Sequence, residues 1–148
     1  MKLTFKNDTF KILQIADTQE GRKVSPDTLA LISAALDREE PDLVVYSGDQ
    51  IWGRGFHGDV NQVRRVLKEL TAPVVERHLP FAICFGNHDR QVGLDNRAQF
   101  EIYKEIPGFI GEDTPGVDGV GNCVLEIADG DRPGYLLYLI DSHSSLKV

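Results

Sequence analysis

The feature that most constrains this fold is a repeated pattern in which an apolar run of strand length ends in a short polar phrase. The pattern occurs at residues 10–19, 42–49 and 81–89. Apolar runs of this length with polar or glycine boundaries are typical of buried β-strands. The polar ends at Asp17, Asp49 and Asn87 are 32 (49 − 17) and 38 (87 − 49) residues apart, and each interval accommodates a crossover helix. The pattern therefore predicts parallel strands that end at one edge of one sheet, where open α/β sheets bind ligands.

The segments between these runs have helical periodicity. Ser25-Pro26 supplies an N-cap and a first helical residue, and Pro41 stops that helix before the second strand. Apolar residues at helical spacing after position 60 predict a second helix, which Pro73 would break or kink. Two further apolar runs, predicted to form a hairpin after a long loop, are residues 123–127 and 135–140. Together these elements predict an α/β fold, with a mainly parallel sheet flanked by helices on both faces.

Length and charge limit the class of protein. A chain of 148 residues predicts a single domain, over residues 1–148. The net charge of −7 disfavours a nucleic-acid backbone as the main partner, and it would repel an anionic substrate unless bound cations reversed the local field. No apolar run approaches the roughly 20 residues of a membrane span, and the first residues lack a secretory h-region. These features predict a cytoplasmic protein without a membrane partner.

The polar strand ends carry side chains suited to metal binding and acid–base chemistry. Asp17, Asp49 and Asn87 offer oxygen donors from three separate strands, which suits divalent cations. Asp49 follows the middle strand, so its carboxylate is placed to bridge two ions that clamp a phosphoryl group. His88 is suited to general acid catalysis, with the Asp89 carboxylate orienting its imidazole.

The phrases Gly48-Asp49 and Gly86-Asn87-His88-Asp89, preceded by Asp17, resemble the calcineurin-like metallophosphoesterases, in the branch near purple acid phosphatases. The resemblance extends from about residue 10 to the end of the chain. It implies an α/β/β/α sandwich and a metal-dependent phosphoric ester hydrolase (a phosphatase) that acts on a phosphorylated substrate.

The same resemblance implies a dinuclear site of two divalent ions, Mn, Fe or Zn. Asp17 would bind the first ion, Asp49 would bridge the two ions, and Asn87 would bind the second. His88 would protonate the leaving group, and Asp89 would support His88.

The chain departs from the family pattern in three ways. Position 19 is Gln19 where the family has a histidine, and its amide oxygen is a weaker ligand for a transition metal. Trp52 stands where the family has an aspartate or a tyrosine. The family's downstream histidine motifs are absent, and the role of His143 is left open.

These departures predict an amino-terminal half of a longer protein, incomplete at its C-terminus. We expect this chain to hold at most one ion, to have little or no activity alone, and to self-associate through an uncovered sheet.

Two other interpretations stay open at this point. A non-catalytic metal-binding or regulatory module would retain the fold without the full ligand set. The glycine pattern of residues 53–58 matches a dinucleotide-binding loop, but five residues separate it from the predicted strand end near Ser47, which disfavours that function. Arg54 and Arg90 are candidates to steer a phosphate, and solvated arginines are the alternative.

Overall fold

The computed structural model describes residues 2–53 and 55–144, and within them it contains two three-stranded sheets and three α-helices. The elements in chain order are β1 Leu3–Thr4, β2 Ile12–Ile15, α1 Pro26–Glu39, β3 Leu43–Ser47, α2 Val60–Glu76, β4 Phe81–Cys84, a 3-10 helix Asp89–Val92, α3 Asn96–Lys104, β5 Cys123–Asp129 and β6 Arg132–Leu139.

The first sheet has the order β2-β3-β4, and its three strands are parallel. Ile15 pairs with Tyr46, and Ser47 pairs with Cys84, so the three strands end close to the same level. β3 connects to its neighbours through α1 and α2, as a parallel crossover requires. The three apolar runs of the sequence therefore form the parallel sheet that was predicted from them.

The second sheet has the order β1-β5-β6. β5 and β6 form the antiparallel hairpin expected from the sequence, with Cys123 opposite Leu139. The short amino-terminal strand β1 pairs with β5 in parallel, through Leu3 and Ile127. The chain therefore begins in one sheet and enters the other at β2.

The parallel sheet separates two apolar clusters. Val44 and Tyr46 of β3 point into a cluster that contains the buried faces of α1, α2 and α3. Leu43 and Val45 point the other way and pack with buried residues of the second sheet. Because β3 is covered on both sides, it is apolar almost throughout rather than alternating.

The layers therefore run helix, sheet, sheet, which gives the α/β/β part of the predicted α/β/β/α sandwich. The expectation of helices on both faces of the parallel sheet is wrong for the described residues, because the second sheet covers the face opposite the helices.

The outer face of the β5–β6 hairpin is apolar and exposed. Tyr138 is 61% exposed, and it lies opposite Val124, which is also exposed. Leu136 and Ile140 extend the same exposed stripe. This is an uncovered sheet face of the kind expected from the sequence, and self-association through it stays a prediction. Among residues 2–53 and 55–144, no helix is long and apolar enough to cross a membrane.

Helix α2 begins at a well-defined cap. The Asp59 carboxylate accepts hydrogen bonds from the backbone nitrogens of Asn61 and Gln62, at 3.0 and 3.2 Å. These bonds satisfy two of the amides that the first turn of a helix leaves without partners. The helix then continues through Pro73 to Glu76, so the proline does not end it.

We expect Asp59→Ala to lower the free energy of unfolding by about 0.5–2 kcal/mol, because the first turn of α2 loses its acceptor. Urea denaturation measures the change. Asp59→Asn is the matched control, since asparagine caps helices as well as aspartate does. Equal losses in the two variants would contradict a capping role.

Candidate functional site

The carboxyl ends of β2 and β3 are joined by backbone hydrogen bonds beyond the strands themselves. The Asp17 nitrogen donates to the Gly48 oxygen at 3.1 Å, and the Gln19 nitrogen donates to the Asp49 oxygen at 2.8 Å. The loop after β2 thus runs alongside the loop after β3, and the two predicted ligands of the first loop lie next to the predicted bridging residue.

Three of the four predicted metal ligands have left-handed backbone conformations. The φ angles are 55° at Asp17, 46° at Gln19 and 53° at Asp49. A non-glycine residue in this region costs of the order of 1–3 kcal/mol unless the surrounding structure compensates for it, and such residues cluster at functional sites. Aspartate tolerates this conformation better than most residues do, but glutamine has no such advantage. The backbone at this edge is therefore less stable locally, and its conformation places the predicted donor groups.

The loop after β4 is held to the loop after β3 by the side chain of Asp89. One carboxylate oxygen accepts from the backbone nitrogens of Gly86 and Asp49, at 2.7 and 2.9 Å. The other accepts from Gln50 and Ile51, at 2.8 and 3.1 Å. Asp89 is only 1% exposed, and burial raises its pKa to about 6, although the four amide donors favour the ionised form.

This arrangement corrects one expectation from the sequence. Asp89 was expected to orient the His88 imidazole, but no hydrogen bond joins that carboxylate to the ring among the residues that the structure describes. Its four bonds all come from backbone amides, so Asp89 holds the two loops together rather than contacting the His88 ring.

Asp49 lies at the centre of the edge and is nearly buried. It is 8% exposed, and its Oδ1 atom accepts a hydrogen bond from the backbone nitrogen of His88 at 2.7 Å. Gly86 packs directly on it, because a Cβ atom at Gly86 would overlap the Asp49 carboxylate and backbone nitrogen. Asp17, Gln19 and Asn87 are exposed by contrast, so the three peripheral donors surround a buried central one.

The donor set fits a divalent cation of the oxygen-binding kind. Asp17 and Asp49 supply carboxylates, and Gln19 and Asn87 supply amide oxygens, a mixture that suits Mn²⁺ better than Zn²⁺. In the described part of the chain, no three His, Cys, Asp or Glu side chains are grouped as a metal site would need. The four residues together supply two carboxylates and two amides, and so only two negative charges.

The other polar candidates from the sequence are His143, Arg90 and Arg54. His143 lies in the segment after β6, and its Nε2 atom is 3.5 Å from the Asp118 carboxylate. Arg90 is exposed, and Arg54 lies outside the described residues. The dinucleotide-loop alternative loses support, because the Asp59 carboxylate already occupies the amides at the start of α2 that a pyrophosphate would need.

The calcineurin-like phosphoesterase family model matches residues 10–142, which is most of the chain. The chain belongs to the calcineurin-like phosphoesterase family. This confirms the family resemblance that the strand-end motifs indicated. It also places the Asp49 edge inside the matched region.

Relatives of the chain include proteins with phosphatase names. It is 32% identical to "Phosphatase DCR2" of Saccharomyces cerevisiae, over 94% of this chain and 28% of the relative. It is 27% identical to "Probable inactive purple acid phosphatase 14" of Arabidopsis thaliana, over 99% of this chain and 43% of the relative. It is 35% identical to "Phosphodiesterase YaeI" of Escherichia coli, over 64% of this chain and 34% of the relative. The chain therefore spans less than half the length of these relatives.

We expect Gly86→Ala to lower both stability and divalent-metal affinity, because the new methyl group displaces the Asp49 carboxylate. Overpacking of this kind costs about 1–3 kcal/mol. Urea denaturation and calorimetric titration with Mn²⁺ measure the two effects. Gly21→Ala is the matched control, since a Cβ atom there meets nothing within 4 Å. Similar behaviour of the two variants would show that close packing at Gly86 does not position Asp49.

Proposed function

We propose that this chain forms the metal-binding edge of a metal-dependent phosphoric ester hydrolase that uses two divalent ions. The observation that supports the proposal most is the convergence of four oxygen-donor residues and His88 at the carboxyl edge of one parallel sheet, in a member of a phosphoesterase family. The donors are Asp17, Gln19, Asp49 and Asn87.

The residues divide into separate tasks. Bound divalent ions would supply Lewis acidity and a hydroxide nucleophile near neutral pH. Asp49 is the central donor, and Asp17, Gln19 and Asn87 complete the donor set from the loops on either side. His88 donates a proton to the oxygen of the leaving alcohol, which needs that proton when it is a poor leaving group. Asp89 keeps the loops at β3 and β4 at a fixed separation through its four amide contacts.

Charge balance limits what this chain does alone. Two divalent ions carry four positive charges, and Asp17 and Asp49 provide two negative ones. We expect one ion at most, with an affinity in the range of poorly charged oxygen sites, about 10⁻⁴–10⁻³ M. The 148-residue chain by itself should therefore show little or no turnover.

A second function is a metal-binding or regulatory module that does not catalyse. It is favoured by the small number of charged ligands and by relatives whose names carry the words "Probable inactive". Metal binding at full stoichiometry without hydrolysis of any phosphoester, in this chain and in any longer gene product, would favour the module over the hydrolase.

We expect Asp49→Asn to abolish most Mn²⁺ binding, because the central donor loses its charge. Isothermal titration calorimetry measures the affinity. Asp131→Asn makes the same chemical change in the exposed hairpin turn and should leave the affinity unchanged. An unaltered affinity in Asp49→Asn would rule out this residue as the central ligand.

In an active form of the protein, we expect His88→Asn to lower kcat by roughly 10²–10⁴-fold for an alkyl phosphate ester. The loss should be much smaller for a nitrophenyl ester, whose leaving group needs little protonation, and metal content should stay the same. Steady-state kinetics and metal analysis provide the measurements.

His78→Asn is the control for the histidine change, since His78 follows α2 at the end of the sheet opposite the site. Equal losses of kcat on the two esters, or loss of metal in His88→Asn, would contradict the general acid role.

A further inference from the structure

We propose that Trp52 is the positioning residue for the His88 imidazole and that Gln91 holds Trp52 in place. The proposal rests on the proposed function, in which His88 is the general acid. It assigns a role to a position where the sequence departs from the family pattern.

The His88 ring lacks the partner that the sequence predicted for it. The Asp89 carboxylate makes four hydrogen bonds to backbone amides of other residues. The Nδ1 atom of His88 is buried and has no hydrogen-bond partner among residues 2–53 and 55–144. The orientation of the imidazole must therefore come from packing rather than from a hydrogen bond at Nδ1.

Trp52 provides that packing. Its ring centroid lies 5.7 Å from that of His88, with an angle of 61° between the two planes. This edge-on geometry is one that aromatic pairs prefer, because it places the edge of one ring against the face of the other. The contact restricts rotation of the imidazole about its side-chain bonds.

Gln91 fixes the tryptophan in turn. The indole Nε1–H donates to the Gln91 Oε1 atom at 3.0 Å. The Gln91 backbone nitrogen donates to the His88 oxygen at 2.9 Å, so the anchor and the acid belong to the same turn. The hydrogen bond therefore ties the indole of Trp52 to the turn that carries His88.

Gly53 allows this close approach. A Cβ atom at Gly53 would overlap the backbone oxygen and the Cβ atom of Gln91, so only glycine lets the loop after β3 lie this close to the turn. Two independent contacts, one from a side chain and one from the backbone, therefore bring Trp52 against His88.

The chemical consequence concerns the direction of proton transfer. Since Nδ1 is buried, Nε2 is the ring nitrogen that remains to face a leaving group. General acid catalysis needs that nitrogen at hydrogen-bond distance from the leaving oxygen, and small misplacements reduce the rate strongly. Trp52 therefore holds Nε2 in the orientation that faces the leaving oxygen, and it does so without contacting the substrate.

The test uses NMR on the chain with labelled histidine and tryptophan rings. With only four histidines, the His88 signals are assigned by comparison with His88→Asn. We expect nuclear Overhauser contacts between the ring protons of Trp52 and His88 in the unmodified chain. Gln91→Leu should weaken or abolish them, and Gln91→Glu should restore them, because glutamate keeps the acceptor.

The matched control is Gln14→Leu on β2, which removes an exposed hydrogen bond to Ser47 Oγ on β3 and should leave the contacts intact. Absence of the contacts in the unmodified chain, or their persistence in Gln91→Leu, would overturn the proposal.

Kinetics on an active form add a readout that a purely structural role would not change. Gln91→Leu should lower kcat by roughly 10–10²-fold on an alkyl phosphate ester, with a smaller loss on the nitrophenyl ester and an unchanged KM. Gln91→Glu should recover most of the rate. Equal losses on both esters would show that Trp52 does not act through the acid.

The two proposals fail in different ways. Absence of hydrolysis in every form of the protein would end the hydrolase proposal, and the NMR contacts would still decide whether Trp52 holds His88. Normal leaving-group dependence in an active Gln91→Leu variant would end the positioning proposal and leave the hydrolase intact.

Discussion

The arrangement of the site depends on one buried carboxylate that binds four backbone amides. Asp89 accepts hydrogen bonds from Asp49, Gln50 and Ile51 of one loop and from Gly86 of another. Hydrogen bonds to an ionised acceptor are stronger than neutral ones, and breaking them in a buried position leaves amides without partners. Asp89 therefore fixes the relative positions of Asp49 and His88, the residues proposed as central donor and general acid.

The family relationship and the donor set together limit the chemistry at this edge. The names of the relatives include both "Phosphatase DCR2" and "Probable inactive purple acid phosphatase 14". The chemical difference between a catalytic and a non-catalytic site is small, because the binding of a second ion requires only a few more charged or imidazole donors. In the described residues, Asp49 lies at the centre of this edge, and the backbone nitrogen of His88 donates to its carboxylate.

The sequence predicted the elements that follow from local periodicity and spacing. The strands leading to Asp17, Asp49 and Asn87 were expected from their apolar runs, and the start of α1 from Ser25-Pro26.

What the sequence did not predict depends on tertiary direction. The spacing of the strand-end motifs predicts which residues reach the edge of the sheet, but it does not predict the direction of their side chains. Asp89 was therefore assigned to its neighbour His88 rather than to amides 38–40 residues earlier in the chain. The pairing of Trp52 with Gln91 had no sequence signal for the same reason. The hairpin of β5 and β6 was expected from its apolar runs, but those runs did not show that it covers the face where helices were expected.

At the predicted ligand positions, the left-handed backbone conformations oppose two properties, local backbone stability and the placement of donor groups. Replacing Asp17 or Gln19 by glycine, or Asp49 by asparagine, would relax the backbone at that position. Each change would also remove or weaken an oxygen donor. Selection for thermal stability alone would therefore favour the loss of oxygen donors from this edge of the sheet, starting at these positions.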